Sequence, residues 1–367
     1  MIKVLVVDDS AVMRAFLGRV VALQPDMELV AVVGDPVLAI ERIRQKSPDV
    51  ITLDVEMPRM NGLDFLARLM SVRPMPVIMI SSLTRDGAET TMRALELGAV
   101  DFFAKPANLT ELEGSVQEIA EKIRAAANAR VVRHRLQAPA PAPAATSART
   151  PAAAAAAAPP RGSAGAKPAN RATGTAATDL VIGIGASTGG VEALREILVN
   201  LPARMPPILI AQHMPPGFTE TFARRLDSIC EIGVSEAQDG EPACQGMAYI
   251  APGGRHLTLA RRMGGYQLKL TDEPPVNRHR PSVDPLFRSI ARVAGPRAVG
   301  VMLTGMGADG AEAMLELHRA GGHTIAQDEA TSVVFGMPRQ AIALGAVREV
   351  LGLGEMAARL AALTSSA

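Results

Sequence analysis

From residue 1 to about residue 124 the chain alternates short apolar runs with amphipathic stretches. The runs Ile2–Val7, Leu29–Val33, Val50–Leu53, Val77–Ile80 and Val100–Phe103 are rich in β-branched residues, as strands buried on both faces are. Between them, stretches such as Val12–Leu23 and Leu63–Met70 carry apolar residues at helical spacing. Five β/α units in succession predict a doubly wound parallel sheet with helices on both faces. Ligands of such sheets bind beyond the carboxyl ends of the strands.

The alternation stops near Arg130 and resumes at Asp179. Between Gln137 and Thr178 there is no Leu, Ile, Val, Met or aromatic residue. Such a segment cannot bury enough apolar area to offset its ordering entropy. It is predicted to be a disordered, weakly basic linker spanning 125–178, between domains at 1–124 and 179–367. Arg149, Arg161, Lys167 and Arg171 are too sparse, with no aromatic residue interleaved, to favour nucleic-acid or membrane contact over a plain tether.

Beyond Asp179 the strand candidates are Leu180–Ile184, Ile208–Ala211, Ile232–Val234, Met247–Ala251, Ala298–Leu303 and Thr324–Ala326. Helix candidates include Val191–Leu198, Phe218–Ser228, Pro285–Val293, Ala311–Arg319 and Arg339–Leu344. His256–Ala260 and Tyr266–Leu270, around Gly264-Gly265, predict a β-hairpin. A second mostly parallel α/β domain with a hairpin insertion is expected.

Composition narrows the class. The 367 residues exceed one ordinary domain, and 48% hydrophobic content supports real cores. A formal net charge of +1 selects no special partner. Cys230 and Cys244 make no disulfide framework and no metal spacing, which fits a reduced, cytoplasmic setting. The start of the chain does not read as a signal peptide, and no apolar run approaches the ~20 residues of a membrane span. No direct membrane insertion is expected.

Chemistry gathers at the predicted strand ends. In the first domain these carry Asp8, Asp9, Asp54, Ser81 and Lys105. Three carboxylates on one edge suit a hard divalent cation such as Mg²⁺, and a hydroxyl with an ammonium nearby suits an oxyanion. Val7-Asp8-Asp9-Ser10, the run from Leu53 to Gly62, and Ala104-Lys105-Pro106 resemble the receiver domain of two-component response regulators. The resemblance implies that Asp54 accepts phosphate from a sensor histidine kinase. It also implies that Asp8, Asp9 and Asp54 bind Mg²⁺, and that Ser81 and Lys105 sense the phosphoryl group.

In the second domain Ser187 sits in Gly183-Ile184-Gly185-Ala186-Ser187-Thr188-Gly189-Gly190, a glycine-rich turn between strand and helix. Such turns cradle phosphate or present a nucleophile. The phosphate reading lacks a third fingerprint glycine, an acid after Ile208–Ala211, and a P-loop lysine. The nucleophile reading finds His213 at the end of that next strand as base, and Asp309 after Ala298–Leu303 as its orienter. Taken singly, Ser187 reads as a turn residue, His213 as structural and Asp309 as a helix cap; the trio at one sheet edge favours catalysis. His256 and His279 read as surface or cleft residues, Arg278 and Arg280 as a feature attractive to acidic helices or as a solvated loop, and His318 and His323 as structural.

The Ser187 turn, Gln212-His213-Met214-Pro215, the run from Ala251 to His256, the run from Asn277 to Asp284, and the run from Leu303 to Gly310 are similar to the chemotaxis methylesterase, or CheB, family. The resemblance implies a flavodoxin-like receiver plus a Rossmann-like esterase domain. It implies a phosphorylation-activated serine hydrolase that demethylates glutamate methyl esters on methyl-accepting chemoreceptors and deamidates certain receptor glutamines. Ser187 would be the nucleophile, His213 the general base and then acid, Asp309 its orienter, and the backbone near Met306 the oxyanion donor, with no cofactor in the esterase site. A chemotaxis-type histidine kinase and a receptor cytoplasmic domain would be partners, and nucleic acid would not. Two rivals remain at this stage: a regulator whose second domain only binds a protein, and one that binds DNA, although no helix-turn-helix pattern or basic recognition helix is present.

Overall fold

The computed structural model describes residues 1–57, 60–106, 112, 114–129 and 179–365. The predicted linker lies almost entirely outside them.

The first sheet is built from β1 (Ile2–Val7), β2 (Met27–Val33), β3 (Val50–Asp54), β4 (Val77–Ser81) and β5 (Asp101–Ala104), in the order β2-β1-β3-β4-β5. All four pairings are parallel. Helices α1 (Ala11–Ala22), α2 (Pro36–Lys46), α3 (Gly62–Val72), α4 (Arg85–Glu96) and α5 (Val116–Ala127) cover its faces. Each of the first four begins where a side chain accepts a backbone N–H of the first turn: Ser10, Asp35, Asn61 and Thr84. The central strands β3 and β4 are buried at every position, which is why their sequences are apolar runs with no alternation.

The second sheet has seven strands in the order β14-β13-β12-β6-β7-β9-β8, again all parallel. These are β6 (Val181–Ala186), β7 (Ile208–Gln212), β8 (Gly233–Glu236), β9 (Met247–Ile250), β12 (Ala298–Met302), β13 (His323–Gln327) and β14 (Glu349–Leu351). Its helices are α6 (Gly190–Val199), α7 (Phe218–Ile229), α8 (Val283–Val293), α9 (Ala311–Arg319), α10 (Met337–Ala343) and α11 (Leu353–Ser365). The hairpin β10 (His256–Arg262) and β11 (Gly265–Thr271) forms its own two-stranded sheet. Strand order reverses around β6, because β7 lies on one side of it and β12 on the other. Loops leaving β6 and β12 therefore part there and open a crevice. The three-residue edge strand β14 and the alanine-rich α11 are absent from the sequence-based expectation: the first is too short to show a period, and the second shows a weak one.

Candidate active site

Ser187 follows β6 directly, at the reversal of strand order. Its N–H donates to Thr304 O at 3.0 Å, and its carbonyl accepts Gly190 N at 2.7 Å and Gln212 Nε2 at 2.9 Å. Gly189 turns the chain into α6 with φ of 79°, a value that a Cβ disfavours. Gly305 backs onto the serine: a Cβ there would lie 2.8 Å from Ser187 Cβ. Only glycine lets the loop after β12 come this close.

His213 follows β7, the neighbouring strand. Its Nδ1 lies 3.1 Å from Ser187 Oγ and its Nε2 lies 2.7 Å from Asp309 Oδ2. The two ring nitrogens thus have the reverse of the assignment in chymotrypsin-like sites. With a carboxylate on Nε2, the proton resides there and Nδ1 is left as the acceptor facing the serine. Asp309 does not cap α9, whose cap residue Gly310 makes no side-chain bond. Its carboxylate instead takes four donors, each at 2.7 Å: Asn277 Nδ2 and Ser282 Oγ on Oδ1, His213 Nε2 and Val283 N on Oδ2. Burial alone would raise its pKa; the hydrogen bond and proximity of His213, with the other donors, hold it well below the usual carboxylate range. The four donors hold this carboxylate charged and in place.

Among the described residues, the N–H groups of Thr188 and Met306 have no acceptor. Both flank Ser187, Thr188 by sequence and Met306 through the Gly305 contact. They are available to a developing oxyanion.

The carboxyl edge of the first sheet gathers Asp8, Asp9 and Asp54, with one oxygen from each within 4.8 Å of the others. Lys105 Nζ is 2.7 Å from Asp54 Oδ2 and 3.6 Å from Asp8 Oδ2. Asp8 Oδ2 is buried and has no hydrogen-bond partner. Burial, with Asp54 beside it and despite Lys105, pushes Asp8 up to about 6; burial likewise raises Asp54. An orphaned buried carboxylate oxygen and three hard donors fit a Mg²⁺ ion. Ser81 Oγ donates to Gly87 O at 3.1 Å, in the first turn of α4.

Comparison with known proteins finds two families, one for each domain. The profile of the CheB methylesterase family matches residues 182–360, and that of the response regulator receiver domain matches residues 4–117. A protein-glutamate methylesterase/protein-glutamine glutaminase of Paraburkholderia xenovorans is 55% identical over 100% of this chain and 97% of its own length. The chain belongs to the CheB methylesterase family. A relative of the same name from Pectobacterium atrosepticum is 52% identical over 100% of this chain and 97% of its own. The crystal structure of the Thermotoga maritima CheB methylesterase catalytic domain shares 42% identity, covering 50% of this chain and 98% of that one, with a TM-score of 0.49.

In this CheB-family chain the two domains meet over the serine. Receiver residue Asp101, at the start of β5, accepts Thr188 Oγ1 at 2.6 Å and Lys122 Nζ at 2.9 Å. Phe102 stacks on Phe218 of α7 with ring centroids 4.5 Å apart. At the rim, Arg225 pairs with Glu96 at 2.9 Å and Arg278 with Glu121 at 2.8 Å. The cavity left between Leu95, Asp101 and Phe102 on one side and Ser187, Glu192 and Gln212 on the other holds about 20 Å³, room for about one water.

Several contacts depart from the sequence expectation. His256 is fully buried, not a surface residue: its Nδ1 accepts Ser282 N at 3.2 Å and its Nε2 lies 3.1 Å from Pro274 O. It steadies Ser282, which holds Asp309. Arg280 donates to the carbonyls of Asp272 and Glu273. Asn277 and Ser282 carry no catalytic signature in sequence and emerge only as donors to Asp309. His318 and His323 read as structural and remain so: His318 Nδ1 lies 3.1 Å from Thr324 Oγ1, and His323 Nε2 lies 2.6 Å from Glu349 Oε1.

Proposed function

We propose that the protein hydrolyses the γ-methyl esters of glutamates on methyl-accepting chemoreceptors, and deamidates particular receptor glutamines, under control of phosphorylation at Asp54. The observation that carries this reading is a Ser–His–Asp array, assembled and hydrogen-bonded, beneath a docked receiver. The substrate class follows from the names of the full-length relatives. We assign 1–124 to the receiver, 125–178 to the linker and 179–367 to the esterase, and place the protein in the cytoplasm. Among the described residues no helix is long and apolar enough to cross a membrane.

Ser187 Oγ attacks the ester carbonyl as His213 Nδ1 takes its proton, while Asp309 holds the Nε2–H and balances the imidazolium. The N–H of Met306, with that of Thr188, receives the oxyanion. As the tetrahedral intermediate collapses, His213 gives the proton to the departing ester oxygen, releasing methanol, or to the departing amide nitrogen of a glutamine, releasing ammonia; it then takes a proton from the water that attacks the acyl-serine and frees the glutamate. In the receiver, Asp8, Asp9 and Asp54 would hold Mg²⁺, which supplies counter-charge for the phosphoryl oxygens that Asp54 receives from a chemotaxis-type sensor histidine kinase. Lys105 would leave Asp54 for a phosphoryl oxygen. Ser81 would turn from Gly87 O towards it, disturbing α4, and α4 packs on α7. Release of Asp101 from Thr188 then uncovers Ser187.

Methanol release from methylated receptor, with and without a small phosphodonor plus Mg²⁺, tests this. Stimulation is expected in the wild type and lost in D54N. S187A should release none in either state, and D101A should be active without phosphodonor. Turnover by a folded S187A would reject the nucleophile, and an unstimulated D101A as slow as wild type would reject the gate.

A further inference from the structure

The ring of His279 lies face to face on that of His213, with centroids 3.7 Å apart and planes 13° from parallel. We propose that His279 is a positioning residue for the proton-carrying His213: a neutral aromatic plate that fixes the ring plane. The inference rests on the esterase reading above and adds a residue to it.

The need for a plate follows from the site's geometry. The hydrogen bonds of His213 to Ser187 and Asp309 lie in the plane of the imidazole, so they fix its rotation within that plane and resist tipping only weakly. Tipping moves Nδ1 off Ser187 Oγ, and errors of about 1 Å in such a site cost about 100-fold in rate. A flat surface at contact distance on one face opposes that motion. It also keeps water off that face while His213 carries its positive charge.

His279 is mounted for this work. Val276 and His279 exchange two backbone hydrogen bonds, 3.1 and 2.9 Å, across a turn whose central residues Asn277 and Arg278 have φ of 51° and 68°. Positive φ at both central positions is the tight hairpin turn usually built with glycine or asparagine. Arg278 is neither, so the turn holds it against its own preference, and strain of this kind persists where the surroundings over-determine the backbone. They do so here. Asn277 Nδ2 reaches both Asp309 at 2.7 Å and Asp284 at 2.9 Å. The turn is thus fastened to the carboxylate that grips His213 from one side while its own histidine covers His213 from another.

His279 offers a face to its neighbour, and no nitrogen, so it is no second base. Burial, reinforced by His213, Lys122 and Arg278 and opposed by Asp309, holds its pKa well below the usual imidazole range. It stays uncharged at neutral pH, as a plate against an imidazolium must.

The test uses the full chain, activated with phosphodonor and Mg²⁺, and measures kcat, KM and the thermal unfolding midpoint. H279A and H279N should lose about 10- to 100-fold in kcat, with KM within about twofold and the midpoint within a few degrees. H279F, which restores a flat ring without nitrogen, should recover to within about threefold of wild type. A residue that only shaped the loop would change KM or the midpoint and would not be rescued by phenylalanine. Wild-type kcat in H279A, a loss carried by KM, or a stable H279F as slow as H279A would each overturn the proposal. If H279F lowers the midpoint, the kcat and KM of H279A and H279N decide alone. An inactive wild type would overturn the esterase reading and this inference together, whereas an active wild type with an unimpaired H279A overturns this inference only.

Discussion

The two sheets present acidic chemistry at the same place, the carboxyl edge of a parallel sheet, and treat it in opposite ways. In the receiver, Asp8 keeps a buried oxygen with no hydrogen bond, and the crowded carboxylates Asp8 and Asp54 are pushed towards the protonated state. In the esterase domain, both oxygens of Asp309 are filled by donors and the carboxylate is pulled towards the charged state. One edge is incomplete without a cation and a phosphoryl group. The other is complete before any substrate arrives, and remains so with the receiver docked on it. On the proposed reading, closure withholds substrate from an assembled triad. The residual cavity beside Ser187 admits about one water and no methyl ester side chain.

The contrast breaks most sharply at Asp309. D309N removes the charge and presents an amide N–H where Nε2–H needs an acceptor. Expected is a loss of about 10³- to 10⁴-fold in kcat, with binding of methylated receptor retained; a loss under about tenfold would mean that the filled carboxylate is scaffolding. The next effect separates the two edges by pH. The folded-state pKa of Asp8 is raised, so its contribution to stability is complete below about pH 4 and is lost as pH rises through about 6. That of Asp309 is lowered, so its contribution is present above about pH 4 and is lost only as pH falls well below it. In EDTA the receiver's unfolding midpoint should fall by a few degrees between pH 4.5 and pH 7, and Mg²⁺ should restore it. D8N should flatten that dependence. Equal midpoints in EDTA and Mg²⁺ at pH 7 would remove the contrast. The smallest effect sharpens where closure resides. Arg225 is 50% exposed in its pair with Glu96, and such pairs contribute about 0.2–1 kcal/mol. R225A should raise unstimulated methanol release by no more than about fivefold, and less in high salt. A rise as large as that of D101A would shift the weight of closure to the rim.

Much of this architecture is legible in the chain. Strand β1 and helix α9 coincide with the runs read from periodicity, and most other elements agree within two residues, because buried parallel strands have no choice but to be apolar throughout. Ser187, His213 and Asp309 stand out because each ends or follows such a run. Asn277, Ser282 and His279 do not, since they sit in irregular chain whose partners lie 27 to 66 residues away; only tertiary packing says which loop donates to which carboxylate. His256 misleads for the same reason: a histidine beside Gly253-Gly254 looks exposed until Pro274 and Ser282, the cap of α8, come against its ring. Asp101 hides inside an apolar run, and its use appears only when a second domain is laid against the first.

Strand β5 has one more consequence. It runs only from Asp101 to Ala104, so the proposed gate residue Asp101 and the proposed phosphoryl sensor Lys105 stand four positions apart, about 13 Å along one extended segment. On that reading input and output lie on a single piece of backbone, beside the longer route through Ser81, α4 and α7. Such a device is economical and hard to retune: a substitution in this strand that adjusts how strongly the signal is heard also adjusts how firmly the gate is shut. Sensitivity and leak are traits of the same five residues, and any heritable change in one carries the other with it.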